Sequence, residues 1–148
     1  MKIAILDDYQ DVVRQLKCYQ LLEGHEVKVF NSSAVGLGQL AIRLALFEAL
    51  VLIRERTAFP RGLLQKLPNL KLLSQTGKVA GHIDLAAASE CGVTIVEGTG
   101  DPTAPAELTW ALIMAAARKI PQYAGLLKDG VWQTASLHAE HNTLGWVL

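Results

Sequence analysis

The sequence predicts an α/β protein built on a parallel sheet. Two observations carry this. Short β-rich apolar runs alternate with helical patterns along the first hundred residues, and those runs show no clean apolar–polar alternation. Strands of that kind, separated by helices, indicate a sheet covered on both faces.

The elements follow in order. Lys2–Leu6 is a strand stopped by Asp7-Asp8. From Asp11, the positions Val12, Val13, Leu16 and Tyr19 mark one face of a helix that Gly24 ends. Val27, Val29 and Phe30 form a second strand, and a helix is expected over Gly36–Leu46. Ala49–Ile53 is a third strand, apolar on both faces, running into Arg54-Glu55-Arg56. Pro60 opens a short helix carrying Leu63, Leu64 and Leu67, and Pro68 closes it. Leu70–Leu73 is strand four. Asp84 caps a helix that runs to Gly92, and Val93–Val96 is strand five. Five such units predict a flavodoxin-like, doubly wound sheet of order 2-1-3-4-5, in which ligands bind beyond the carboxyl ends of the strands. The residues to examine are therefore Asp7-Asp8, Arg54-Glu55-Arg56, Gln75 to His82 and Glu97 to Thr103.

The final segment differs. Ala106–Ala117 is apolar nearly all round as a helix, so it needs partners on more than one side. Pro121 is expected to kink or end it, with Arg118 and Lys119 near its negative end. The chain divides accordingly into residues 1–103, a ligand-binding α/β domain, and 104–148, a connecting helix with a lead-in to something further. The close on Gly145-Trp146-Val147-Leu148 reads as an interruption.

Composition narrows the function. Of 148 residues 51% are apolar and 19% charged, which excludes a disordered chain. Fourteen basic residues balance fourteen acidic ones, so nothing favours nucleic acid or an anionic membrane as partner. No apolar run reaches the ~18 residues of a membrane span, and the N-terminus is no signal peptide, so a cytoplasmic protein is expected. Cys18 and Cys91 lack metal-type spacing and are expected to be reduced and structural. His138 and His141 flank Glu140 without a third ligand, so no metal site is expected.

Gly98-Thr99-Gly100 after a strand has the outline of a dinucleotide turn. Its third glycine position holds Thr103, Pro102 and Pro105 remove amide donors, and no acidic residue follows at the ribose position. It is read instead as a turn whose glycines supply positive φ. Residues 75–82, QTGKVAGH, make a better site: successive amides can face an anion, and Lys78 adds charge. A flexible turn with a solvated lysine is the plainer alternative. Arg54, at the same sheet edge, suits a planar carboxylate, or else pairs with Glu55.

The stretches ALVLIRERT, LPNLKLLSQTGKVAGHIDLAAASECGVTIVEG and PAELTWALIMAAARKIPQ together resemble the N-terminal half of the D-isomer-specific 2-hydroxyacid dehydrogenases, the group with phosphoglycerate and formate dehydrogenases. The resemblance implies a substrate domain in which amides of Lys78, Val79, Ala80 and Gly81 hold the substrate carboxylate and Arg54 assists. It implies that Lys78 lies near substrate and cofactor, that Thr109 is a cofactor-side residue, and that the helix over 105–121 pairs subunits into a homodimer. Val79 stands where glycine is usual and Gly81 where aspartate is common. The family's NAD or NADP fingerprint and its catalytic arginine, glutamate and histidine belong to a following half, and none of His25, His82, His138 or His141 matches that histidine. The expectation is the substrate-binding portion of an enzyme acting on D-2-hydroxyacids, with no catalytic residue in this chain, no activity alone and no cofactor bound by it. The alternative is a binding or pairing module that uses the helix from Pro105.

Overall fold

The computed structural model describes residues 1–132 and comprises two compact units, Met1–Gly100 and Asp101–Leu148. His138, His141 and the segment after Trp132 lie outside the described residues.

The first unit holds a five-stranded, all-parallel sheet of order 2-1-3-4-5: β1 (Lys2–Leu6), β2 (Glu26–Val29), β3 (Ala49–Leu52), β4 (Leu72–Gln75) and β5 (Thr94–Glu97). Register places Leu6, Leu52, Gln75 and Glu97 in one row at the carboxyl edge. That row, and the loops leaving it, is where side chains of four strands can converge.

Three helices, α1 (Leu37–Leu44), α2 (Arg61–Leu64) and α3 (Leu85–Glu90), pack on one sheet face. Leu40, Leu44, Leu63, Leu64, Ala87 and Ala88 meet Ala4, Leu6, Leu50, Leu52 and Leu73 there in one buried cluster. Burying a leucine of this kind contributes about 2 kcal/mol relative to leaving it in water. Asp84 caps α3 as expected, its Oδ1 accepting from the Ala87 amide at 2.8 Å.

The first crossover departs from expectation. In place of an α-helix from Asp11, the chain forms two 3₁₀ segments, Val13–Gln15 and Lys17–Leu22. Leu16 between them is extended, with φ −74° and ψ 135°, so no i→i+4 ladder crosses it. The carboxylate of Asp8 takes the amides of Val12 and Val13 at 3.2 and 3.0 Å, which fixes the entry. These segments lie against the second sheet face. With Ile5, Val51 and Ile53 they enclose an apolar space of about 270 Å³.

Strand four begins two residues later than expected, because Leu70 is buried in the preceding loop rather than in the ladder. Cys18 and Cys91 are free thiols, as expected, but both are exposed and neither belongs to the core.

In the second unit, α4 (Thr103–Ala117) carries apolar side chains around its circumference, with Leu108, Trp110, Leu112 and Ile113 exposed. Its end is not set by Pro121. Lys119 adopts a left-handed conformation, φ 50°, and a second helix, α5 (Ile120–Lys128), starts with Pro121 in its first turn. Proline lacks the N–H that the first turn leaves unpaired anyway, so it opens a helix at no hydrogen-bond cost. One continuous helix over 105–121 is therefore replaced by two. Among the described residues no helix is long and apolar enough to cross a membrane.

Candidate functional site at the carboxyl edge of the sheet

Four strand ends build the edge. After β1, Asp7 and Asp8 are buried. Neither is free for a metal or a phosphate. Asp7 accepts from the hydroxyls of Tyr9 (3.2 Å) and Thr57 (2.5 Å), and its carbonyl accepts from Arg56 Nη1 at 2.5 Å. Asp8 is spent on the cap described above. Arg56 also lies 4.8 Å from the centre of the Tyr9 ring. The pair is a structural hub that ties β1 to the loop after β3. Among the described residues there is no group of histidine, cysteine and carboxylate ligands fit for a metal.

After β3, Arg54 takes a left-handed backbone conformation, φ 58°. For a residue with a Cβ this costs on the order of 1 kcal/mol. The end of β4 holds it on both sides. The Arg54 amide donates to Thr76 Oγ1 at 3.3 Å, and its carbonyl accepts from Gln75 Nε2 at 3.0 Å. Gln75 is buried and works twice, since its Oε1 lies 3.2 Å from His82 Nε2. Because the Gln75 amide nitrogen is committed to Arg54, its oxygen is the acceptor, which puts the imidazole hydrogen on Nε2. His82 Nδ1 is left buried without a partner. The alternative, an ion pair of Arg54 with Glu55 or a neighbour, is not formed, and the guanidinium has no carboxylate partner among the described residues.

After β4 comes the predicted loop. Arg54, Glu55, Gln75, Gly77 and Lys78 line an open cleft of about 430 Å³. Lys78 and the β4 end are thus brought together with Arg54. The amide of Val79 donates to Glu97 Oε2 at 2.9 Å, and Lys78 Nζ donates to Glu97 Oε1 at 2.5 Å. These two bonds, the Lys78 ammonium first, hold the Glu97 carboxyl below the usual range. Val79 packs its side chain on the core, whereas Ala80 and Gly81 are exposed.

After β5, Gly98 is required for contact rather than conformation. Neither Gly98 nor Gly100 has a positive φ, against the sequence expectation. A Cβ on Gly98 would lie 2.7 Å from the Thr76 carbonyl oxygen. The Gly98 amide donates to the carbonyls of Gln75 and Gly77 at 3.0 and 3.1 Å, stapling β5 to the loop after β4. That commitment, with Pro102 and Pro105, leaves the turn unfit to hold a dinucleotide pyrophosphate. Thr109 lies on α4 in the second unit, where its hydroxyl donates to the Pro105 carbonyl at 2.8 Å. The turn at Gly98–Gly100 offers no dinucleotide cradle.

Gln75, Glu97 and the staple at Gly98 are the parts of the site whose roles sequence reasoning missed. The signal that reached them was position alone: each sits at a strand end on the ligand edge. What the assembled edge can do is hold an anion, by loop amides, a guanidinium and an ammonium.

Comparison with known proteins agrees with this fold. Residues 3–143 match the family model described as D-isomer specific 2-hydroxyacid dehydrogenase, catalytic domain. A D-3-phosphoglycerate dehydrogenase from Archaeoglobus fulgidus is 34% identical over 116 residues, which is 78% of this chain and 21% of the relative. An oxidoreductase of known structure from Ralstonia solanacearum is 63% identical with TM-score 0.75, over 90% of this chain and 40% of that one. The NAD-dependent formate dehydrogenase from Staphylococcus aureus, in complex with NAD, shares the fold at 24% identity and TM-score 0.66, over 93% of this chain and 44% of that one. The chain spans about a fifth of the length of the first of these relatives and two fifths of the second. A five-stranded parallel sheet of order 2-1-3-4-5, in a chain matched along nearly all of its sequence, places it in the D-isomer-specific 2-hydroxyacid dehydrogenase family.

Proposed function

We propose that this chain is the substrate-binding portion of an NAD(P)-dependent oxidoreductase that interconverts D-2-hydroxyacids and 2-oxoacids. One observation carries the reading. Arg54, pinned in a strained backbone by Thr76 and Gln75, lines the same cleft as Gly77 and Lys78 at the start of the amide loop. Strain held by neighbouring hydrogen bonds is characteristic of a binding residue rather than of a solvated turn. In this reading the N–H groups of Lys78, Val79, Ala80 and Gly81 take the carboxylate of the acid, and Arg54 supplies a paired donor to its anionic group. Lys78 adds charge at the cofactor-facing rim, and Thr109 lies on the cofactor side.

The family relationship, with the NAD complex of the related formate dehydrogenase, supports NAD or NADP as the hydride carrier. Hydride chemistry belongs to that carrier, and this chain contributes binding and orientation. The 148-residue chain with NADH and assorted 2-oxoacids is expected to show no turnover; clear turnover would contradict the assignment. Calorimetric titration with pyruvate or oxamate should show weak binding that R54A and K78A each reduce about threefold to tenfold. Undiminished binding in both variants would refute the site.

A second reading is favoured by α4, with Leu108, Trp110, Leu112 and Ile113 exposed. A patch of that kind marks an association surface, so a homodimer is proposed, paired through α4. Light scattering should show a dimer that W110E converts to monomer. A wild-type monomer at tens of micromolar would remove this reading.

A further inference from the structure

The predicted substrate loop already holds a carboxylate, and it is the protein's own. Glu97 Oε2 sits 2.9 Å from the Val79 amide nitrogen while Oε1 sits 2.5 Å from Lys78 Nζ. An amide and an ammonium grasping the two oxygens of one carboxylate is the arrangement that a 2-hydroxyacid's carboxylate would be given there. Position and chemistry both point the same way. Glu97 reaches the loop because the Gly98 staple holds the end of β5 against Gln75 and Gly77. Its carboxyl is held in the charged form by these same two contacts. The neighbouring donors are not spent in this way. Among the described residues, no acceptor takes the amides of Lys78, Ala80 or Gly81, and Arg54 has no carboxylate partner.

We propose that Glu97 is an internal competitor for the anion site. It occupies the Val79 amide and neutralises Lys78 when no ligand is bound, and an incoming carboxylate displaces it. This rests on the reading of residues 78–81 as the substrate loop, and it adds a specificity consequence. A ligand gains from this loop only if its anionic group outcompetes a tethered carboxylate, so neutral analogues are rejected. The contact is open to solvent, Lys78 and Glu97 side chains being 68% and 40% exposed, so the handicap is modest.

The test is calorimetric and amide-resolved NMR titration of the 148-residue chain with oxamate, comparing wild type, E97Q and E97A at pH 7. Both variants are expected to bind oxamate about threefold to fivefold more tightly than wild type, the range an exposed charged contact commands. The Val79 amide signal should move on substitution alone, and move again with oxamate in all three proteins. Equal or weaker oxamate binding by both variants, with the loop amides still responding, would overturn the competitor role and leave the substrate loop standing. Loop amides that respond to oxamate in none of the three proteins would overturn the substrate loop itself, and the competitor role with it.

Discussion

Replacing Gly98 by alanine tests how the site is held. The added Cβ would stand 2.7 Å from Thr76 O, 3.1 Å from Thr76 C and 3.6 Å from Gln75 O. All three are backbone atoms at the end of β4, so no side chain can swing aside. Relief requires β5 to move off the β4 loop, which weakens the Gly98 amide's bonds to Gln75 and Gly77. Overpacking costs about 1–3 kcal/mol and a backbone hydrogen bond about 1 kcal/mol, so G98A should destabilise by about 2–3 kcal/mol. G100A is the control: its Cβ would meet nothing within 4 Å, and its φ is not positive. That variant should be neutral or slightly stabilising through the unfolded chain. Urea unfolding followed by far-ultraviolet circular dichroism gives both values, since all three tryptophans lie outside the sheet unit. Equal stabilities for G98A and G100A would refute the reasoning that close approach, not turn conformation, demands the glycine.

Further outcomes are expected from the same geometry. Asp8→Ala removes the acceptor of two amides beside a buried backbone and should lower stability by about 1–3 kcal/mol in urea unfolding. Asp84→Ala removes the α3 cap and should cost about 1 kcal/mol by the same measurement. Arg61→Ala breaks its exposed contacts with Glu90 and Asp84 and should leave the urea midpoint nearly unchanged. Glu48, Glu90 and Glu97 are all held below the ordinary carboxyl range, by Lys71, Arg61 and Lys78 respectively. A depressed folded value means their contribution is present above the ordinary range and is lost as pH falls through the folded values. The urea midpoint should therefore decline below the ordinary carboxyl range, and an unchanged midpoint down to pH 3 would contradict those pairings.

How much of this was legible in the sequence depended on what each residue's neighbours were. The strand order and the loop after β4 followed from apolar runs, because a doubly buried strand such as Ala49–Leu52 has no polar alternative. The start of β4 was misplaced because Leu70 is as buried as a strand residue, while Ser74 and Gln75 belong to the ladder despite being polar. Helical spacing at Val12, Val13, Leu16 and Tyr19 suggested an α-helix, and the extended Leu16 broke it. A glycine can serve conformation or close approach, and only the Thr76 carbonyl opposite Gly98 decides between them. Glu97 was flagged by position alone, since its role depends on a loop 18 residues away in sequence. The second helix after Lys119 was missed because a proline reads equally as an end or a beginning.

The central claim is that residues 78–81 and Arg54 form the carboxylate site. An amide-resolved NMR titration of the chain with pyruvate tests it most directly. The account expects saturable shifts at Lys78, Val79, Ala80, Gly81 and Arg54, with the turn over residues 100–103 unmoved. Saturable shifts confined to that turn, or to the apolar space beneath the first crossover, would contradict it.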